Sequence, residues 1–488
     1  MFTPSFESLY AREIPAWFRD AKFGIWSHWG PQSVPMCGDW YARHMYMQDT
    51  PQYLYHLRHY GHPSKFGYKD ICALWKAERF DPDELMSLYH KAGARYFVAQ
   101  AMHHDNFFNY DSKVNPNNSV NIGPGKDICG LWRTAAKKYG MPFGLTEHLG
   151  ASFSWWRTNK GCDAYGPYKD IPYDGNDPAF EHFYHANREH ADGTAPWYTL
   201  NERFHAYWSA TMRELIDNYQ PELLYSDGVL PFGSHQDAWE QDGGHRKGTV
   251  PGDLAYAAGL DMLSYYYNRS IEWNGSNQAV YLQKDRRPEI YRVGVLDIEK
   301  SQLPGMAEDP WHTDTCIGNW FYDAKQVYKK SDQVIEMLVD IVAKNGCMLL
   351  NILQRPDGSI DAEARHLLGE LAGWFSVCGE GIHGTRTWKV FGEGETRVRV
   401  EGFTEEKTSW SDSDFRYTCK GNAVHAFILH VPESRTCVLR SFSGERIRRV
   451  SLLGGGEVSF QHAYGVLVVE LPAGLPTQYV NCLKIELE

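Results

Sequence analysis

The sequence contains no run of 18 apolar residues, no excess of basic side chains and no closely spaced cysteine pair, and each of these lacks removes a class of protein. Without such a run no segment can span a bilayer as a helix, so membrane insertion is not expected. Asp and Glu number 61 against 49 Lys and Arg, giving a net charge of -12 and a pI near 6.0. Nucleic-acid affinity rests on clustered cations, so no nucleic-acid partner is expected. The ten cysteines, at 37, 72, 129, 162, 316, 347, 378, 419, 437 and 482, are scattered, with no CxxC and no Cys/His spacing typical of zinc. Most of them read as buried free thiols, and no metal or other cofactor is expected. The opening MFTPSFESLY has neither a basic n-region nor an apolar h-region. The expectation is a soluble chain without a signal peptide, cytoplasmic unless a leader is trimmed from it, in which case periplasmic or secreted. Internal repeats and low-complexity tracts are also lacking, and nothing in the composition opposes a homo-oligomer.

What is present is enough material for two domains, 488 residues of which 43% are hydrophobic, and an aromatic content of 14% with 17 Trp and 30 Tyr. Flat indole and phenol faces suit the apolar faces of sugar rings, although aromatics also fill cores. Up to about residue 375, short apolar runs alternate with amphipathic helical stretches, as a β/α chain requires. The runs are Phe23 to Trp26, Tyr96 to Ala99, Phe143 to Leu145, Leu223 to Tyr225, Val280 to Leu282, Val293 to Leu296 and Met348 to Leu350. Helices are predicted over Asp83–Ala92, Asn201–Asp217 and Asp332–Ala343, each with its apolar residues on one face. The fold class is therefore α/β, a (β/α)8-like barrel over 1–380, in which residues following several strands converge on one face. Beyond Trp374 the helical period gives way to Gly-punctuated alternation, as in Arg397–Val400, Ala426–Leu429 and Gly465–Val469, and a C-terminal β-sandwich is predicted over 385–488. Thr158 to Pro196 and Gly233 to Asp253 read as long loops.

Polar residues follow the predicted strands immediately. His28 sits between aromatic residues and Gly30, and His103 and His104 open a turn in which both rings can line a pocket. Asp227 ends an apolar strand and is followed by Gly228; read locally, a turn or helix-cap Asp is the plainer account. Glu299, after a second strand, reads locally as a surface Glu beside Lys300. Together, however, two carboxyls at strand ends meet the need of glycosidic cleavage for one group that attacks and one that protonates the leaving oxygen. Four imidazoles, His28, His103, His104 and His148, could approach one site, and hydroxyl recognition explains them more simply than a metal does.

These clusters in this order (WFRDAKFGIWSHWGPQSVP, GDWYARHMY, AMHHDNFFNYDSK with NSVNIGPGKDICG, YQPELLYSDG, and NGCMLLNILQRPDGSI leading to GEGIHGTRTWKVFGEG) resemble glycoside hydrolase family 29, the alpha-L-fucosidases, across roughly residues 15–395. The resemblance implies a barrel followed by a β-sandwich and a retaining, exo-acting hydrolase of terminal fucose, whose partner is a fucosylated glycan. It implies Asp227 as nucleophile and, counting back from Trp311, Glu299 as acid/base. It implies fucose contacts from His28, His103 and His104, Asp39 and Trp40 in place of a Glu-Trp pair, and Tyr225 within the nucleophile strand. Arg286 matches a substrate-binding Arg, with Arg269 as competitor. The sequence departs from the family at Trp311-His312, where Glu is common, and at Thr146-Glu147-His148, where an aromatic pair is usual. His148 or Glu147 could accommodate the extra hydroxyl of an alpha-L-galactoside, and His312 with Thr146 motivates a second alternative, a homologue that binds fucose without cutting it.

Overall fold

The computed structural model describes residues 1–187, 197–233, 256–400, 402–403 and 405–488. Eight parallel strands form one sheet: β1 (Phe23–Ser27), β2 (Tyr96–Met102), β3 (Phe143–Glu147), β4 (Leu223–Ser226), β5 (Val280–Gln283), β6 (Val295–Leu296), β7 (Trp311–Cys316) and β8 (Gly346–Asn351), in the order β6-β5-β4-β3-β2-β1-β8-β7. The two ends of that order meet. Asp297, just past β6, forms a parallel bridge with His312 of β7, and the Ile298 and Lys300 amides donate to the His312 and Asp314 carbonyls at 3.0 and 2.9 Å, which closes a barrel.

Side chains alternate between the two faces of each strand, so one set fills the barrel and the other packs beneath the helices. Trp26, Tyr96, Val98, Leu223, Tyr225, Val280, Leu282, Val295, Cys347 and Leu349 form the interior, plugged by Phe18 and Ala21 from the helix Ala16–Ala21. Gly24 is required there, since a Cβ would lie 2.3 Å from the Tyr96 ring. Phe23, Ile25, Phe97 and Leu224 face outward into the larger core under the helices. Those helices start where short polar side chains satisfy free backbone N–H groups: Asp81 before Pro82–Lys91, Asp127 before Ile128–Lys138, Asn201 before Glu202–Tyr219 and Asp361 before Ala362–Cys378.

Nine antiparallel strands follow. The first sheet holds β9 (Arg386–Glu393), β10 (Phe415–Lys420), β11 (Ala423–Ile428), β13 (Ile447–Leu452), β14 (Gly456–Glu457) and β17 (Asn481–Leu487), and the second holds β12 (Thr436–Leu439), β15 (Phe460–Ala463) and β16 (Val466–Glu470). Phe415, Tyr417 and Val424 of one sheet share a core with Cys437, Leu467 and Val469 of the other, the sandwich expected from the alternation.

Some predicted elements differ. Arg397–Val400 is not a strand, its alternation being that of an extended connection without a ladder. β7 was not foreseen, because its inward positions are polar. The stretch from Thr158 contains short helical turns before its last residues, 188–196, which lie outside the described residues, as do 234–253 of the second predicted loop. Seven of the ten cysteines are buried, and all ten are free thiols. Among the described residues no helix is long and apolar enough to cross a membrane.

Candidate active site

The carboxyl ends of the strands surround a cavity of about 320 Å³, whose lining includes His28, Asp39, Trp40, His103, His148, Tyr225, Asp227, Lys284, Glu299 and Asp314. Asp227 follows β4, and its amide donates to the Glu147 carbonyl at 3.0 Å, which carries the chain one step past the strand. Gly228 makes that exit feasible: its φ is +127°, and a Cβ would lie 2.4 Å from the Tyr198 hydroxyl. Asp227 Oδ2 lies 3.0 Å from His148 Nδ1 and 3.3 Å from His104 Nε2. Its Oδ1 accepts from Lys284 Nζ at 2.6 Å and faces the Tyr225 hydroxyl at 3.2 Å. Lys284 Nζ also pairs with Glu299 Oε2, while Trp320 Nε1 donates to Glu299 Oε1 at 3.1 Å. Two hydrogen bonds to one ammonium place the nearest oxygens of the two carboxyls within about 6 Å of each other.

These contacts push the two carboxyls apart electrostatically. Burial alone would raise the Asp227 carboxyl, but Lys284 and the imidazoles of His148 and His104 outweigh it and hold it well below the usual range. Burial raises Glu299; Lys284 opposes this, and the charge of Asp227 adds to it. Burial, reinforced by neighbouring imidazoles, pushes His28 and His103 well down, and burial pushes His148 down to about 4. Near neutral pH these three rings are uncharged, suited to exchanging hydrogen bonds with hydroxyls. Burial likewise lifts Asp39 to about 6, against the Phe321 amide that donates to it at 2.7 Å.

Ring nitrogens of His28, His103 and His148 lie within 4.8 Å of one another, as do ligand atoms of His104, His148 and Asp227, so both groups have the reach to hold a cation. The hydrogen bonds favour another use. The Gln32 amide donates to His103 Nδ1 at 2.9 Å, its carbonyl oxygen being taken by the Ala42 amide, so the His103 proton sits on Nε2. Among the described residues His148 spends Nδ1 on Asp227 and keeps Nε2 without a partner, as His28 does Nδ1. Buried, unpartnered polar atoms beside a cavity are seats for ligand hydroxyls.

Five of the predicted contacts, Arg286, Glu147, Trp311, His312 and His104, do not line the cavity. Arg286 is exposed beyond it: β5 ends at Gln283, the inward period of Val280 and Leu282 runs on to Lys284, and Asp285 then turns the chain by accepting from the Arg287 amide at 3.0 Å. Among the described residues Lys284 is thus the cation that lines the site, and Arg269 lies on a helix surface paired with Asp217 and Glu272. Glu147 is buried behind the mouth, where its carboxylate accepts from the Leu149 and Gly150 amides at 2.9 and 3.3 Å and from Trp208 Nε1 at 3.3 Å. Trp311 points outward and donates to the Lys344 carbonyl at 2.9 Å, and His312 lies inside the barrel below the cavity, its Nδ1 2.5 Å from Asp297 Oδ1. His104 touches Asp227 from behind without lining the cavity. Sequence reasoning missed Lys284, Asp314 and Phe321; the first two lie on the inward period of their strands, while Phe321 is brought in beside Trp320 by the loop after β7.

A family model for alpha-L-fucosidase matches residues 1–380. Tissue alpha-L-fucosidase of Homo sapiens is 28% identical over 462 residues, covering 93% of this chain and 84% of its own length. Among solved structures, Thermotoga maritima alpha-fucosidase in complex with a mechanism-based inhibitor superposes over the whole of both chains with a TM-score of 0.74 at 24% identity. Alpha-L-fucosidase isoenzyme 1 from Paenibacillus thiaminolyticus does so over the whole of both with a TM-score of 0.68 at 22% identity.

Proposed function

The chain belongs to the alpha-L-fucosidase family and is a glycoside hydrolase acting on terminal alpha-L-fucosyl residues, and from that premise we propose a retaining double displacement with Asp227 as nucleophile and Glu299 as acid/base. The observation that carries this is the single Lys284 ammonium shared by the two carboxyls at one cavity. Carboxyls about 5 to 5.5 Å apart serve retention, whereas inversion needs about 6.5 to 9.5 Å to admit a water.

Asp227, kept ionised by Lys284 and the imidazoles, attacks the anomeric carbon as Glu299 gives its proton to the departing oxygen. The first product leaves, water takes its place, Glu299 removes a proton from that water, and the Asp227 ester is cleaved with the original configuration restored. His28, His103 and His148 face the sugar hydroxyls. Trp40, Trp320 and Phe321 line the cavity and offer an apolar wall to the C6 methyl, worth about 0.8 kcal/mol for a CH2-sized group.

The test is the anomeric configuration of the first-formed fucose, followed by NMR before mutarotation. The alpha anomer is expected, and the beta anomer overturns the double displacement. Glu299→Ala should lose about 10²- to 10⁴-fold on substrates with poor leaving groups and far less on activated aryl fucosides, with azide restoring turnover on the latter. Equal losses on both would remove Glu299 from the acid role. Aryl alpha-L-galactoside assayed alongside measures how far His148 Nε2, still without a protein partner, admits a C6 hydroxyl.

A further inference from the structure

Below the mouth, the barrel interior carries a line of titratable groups that the mechanism does not use. The Tyr225 hydroxyl, 3.2 Å from Asp227 Oδ1, is also 3.3 Å from Asp314 Oδ2. Asp314 is within hydrogen-bonding reach of Asp297, whose Oδ1 takes the His312 Nδ1 proton, and His312 Nε2 lies 3.0 Å from the Tyr96 hydroxyl. Tyr225, Asp314, Asp297, His312 and Tyr96 are all buried. Asp297 Oδ2 and Asp314 Oδ1 have no N–H or O–H partner elsewhere in the described protein. Two buried carboxylate oxygens cannot satisfy each other, but one proton between them satisfies both.

Hydrogen bonding decides which carboxyl holds that proton. Asp297 already receives an N–H from a neutral His312, and burial pushes that imidazole down to about 3. Among the described residues Asp314 has no donor but the Tyr225 hydroxyl, which has a single proton to divide between Asp314 and Asp227. Burial, and next the charge of Asp297, raise Asp314 well above the carboxylate range, while burial lifts Asp297 to about 7. The proton therefore rests on Asp314 and the charge on Asp297.

We propose that Asp314, held by Asp297 and His312, is a positioning residue for the catalytic pair: it carries the proton that the two carboxyls share and offers its other oxygen as a second seat for the Tyr225 hydroxyl once Asp227 is esterified. The inference rests on Asp227 as nucleophile and Glu299 as acid/base. While Asp227 is a free carboxylate, Tyr225 donates to its Oδ1. When that charge is spent in the ester, the hydroxyl turns to Asp314, and it returns as the carboxylate reappears. No proton changes owner; only the O–H rotates. The groups facing this line are Lys284, Asp227, Glu299, His312, Tyr225 and Tyr96, with Asp39 and Lys300 beyond Glu299.

Asn is a neutral isostere of a protonated Asp, which makes the inference testable. Asp314→Asn should lose clearly less kcat than Asp314→Ala, because its amide donates to Asp297 and its carbonyl still accepts from Tyr225. Asp314→Ala, which removes the second seat, should lower kcat about tenfold with KM little changed, the loss of one hydrogen bond. Asp297→Asn removes the charge while Asp314 stays protonated. Glu299 then loses part of what favours its proton, and the basic limb of the kcat/KM profile moves down by about one pH unit. The infrared difference spectrum of wild type minus Asp314→Asn should show the carbonyl stretch of one protonated buried carboxyl, beside the band of Glu299 that both proteins keep. Equal damage from Asn at 314 and 297 with melting temperatures unchanged, an unmoved or upward-moving limb in Asp297→Asn, or a difference spectrum without that stretch would each overturn the inference. Glu299→Gln separates the two levels. If the basic limb survives in that variant, the catalytic reading itself fails; if the limb disappears there yet does not respond at 297, only the present inference fails.

Discussion

Two ionic clusters in this molecule use the same chemistry in opposite proportion. At the mouth of the barrel one ammonium, Lys284, stands between two carboxylates, Asp227 and Glu299. At the seam between barrel and sandwich one carboxylate, Asp340 on the helix Ser331–Ala343, stands between two cations, Lys344 at 2.7 Å and Arg416 of β10. The side chains at the mouth are 15–22% exposed to the cavity, against 1–4% at the seam. At the seam both Asp340 oxygens are paired with cations and Lys344 also reaches Gln302, so each charge is met within the protein. At the mouth His28 Nδ1 and His148 Nε2 lack partners among the described residues, and the carboxyls face the cavity. A saturated cluster contributes stability; an unsaturated one contributes a site.

The sharpest way to break that distinction is Asp227→Asn. Turnover should fall on the order of 10⁴- to 10⁶-fold while sugar binding and melting temperature stay near wild type. Comparable hydrolysis of an aryl fucoside by the variant would show that the mouth cluster has been misread. Asp340→Ala should do the reverse, costing about 3–5 kcal/mol of stability because two buried cations lose their partner, with kcat of the folded fraction unchanged. Denaturant unfolding with activity normalised to folded protein measures both.

The seam also carries a pH signature. Burial would raise the Asp340 carboxyl, but Arg416 and Lys344 outweigh it and hold it below the usual range. Its stabilising contribution is therefore fully present above the unfolded value of about 3.9 and disappears as pH falls through the lower folded value. In Asp340→Ala the acid-induced loss of stability below about pH 4 should be correspondingly shallower. Lys284→Met probes the mouth in the same terms. Removing the cation lets burial raise Asp227, so the acidic limb of kcat/KM moves to higher pH, with about 10- to 100-fold lost near neutrality. A limb that stays in place would separate Lys284 from the nucleophile. The smallest effect belongs to Arg286→Ala, an exposed change expected to stay within about 0.5 kcal/mol in stability with KM unaltered.

How far each cluster could be read in the sequence depends on the length of the local pattern behind it. The strands before His28, His103, Asp227 and Glu299 are short apolar runs, and their ends coincide with the mouth. β7 escaped notice because His312 and Asp314, its inward positions, are polar where a barrel strand usually presents apolar side chains. Lys284 was within reach by counting every second residue from Val280 and Leu282; that count also shows why Arg286, two residues further and past a turn, fails to enter. Glu147 follows its strand in the manner of the other candidates, yet it bends back to accept from Leu149 and Gly150. No periodicity foretells such a local capping bond.

The sequence by itself determined the alternation of strand and helix, the change to a sandwich after Trp374 and the acidic and imidazole residues available at strand ends, because periodicity and strand termination are short-range properties of the chain. Only the tertiary structure decided which of those residues share a cavity, which cation joins Asp227 to Glu299 and which carboxyls lie buried beneath Tyr225. Those outcomes follow from closing eight strands into a ring, which brings residues tens to hundreds of positions apart within a hydrogen bond of one another and removes water from around their charges.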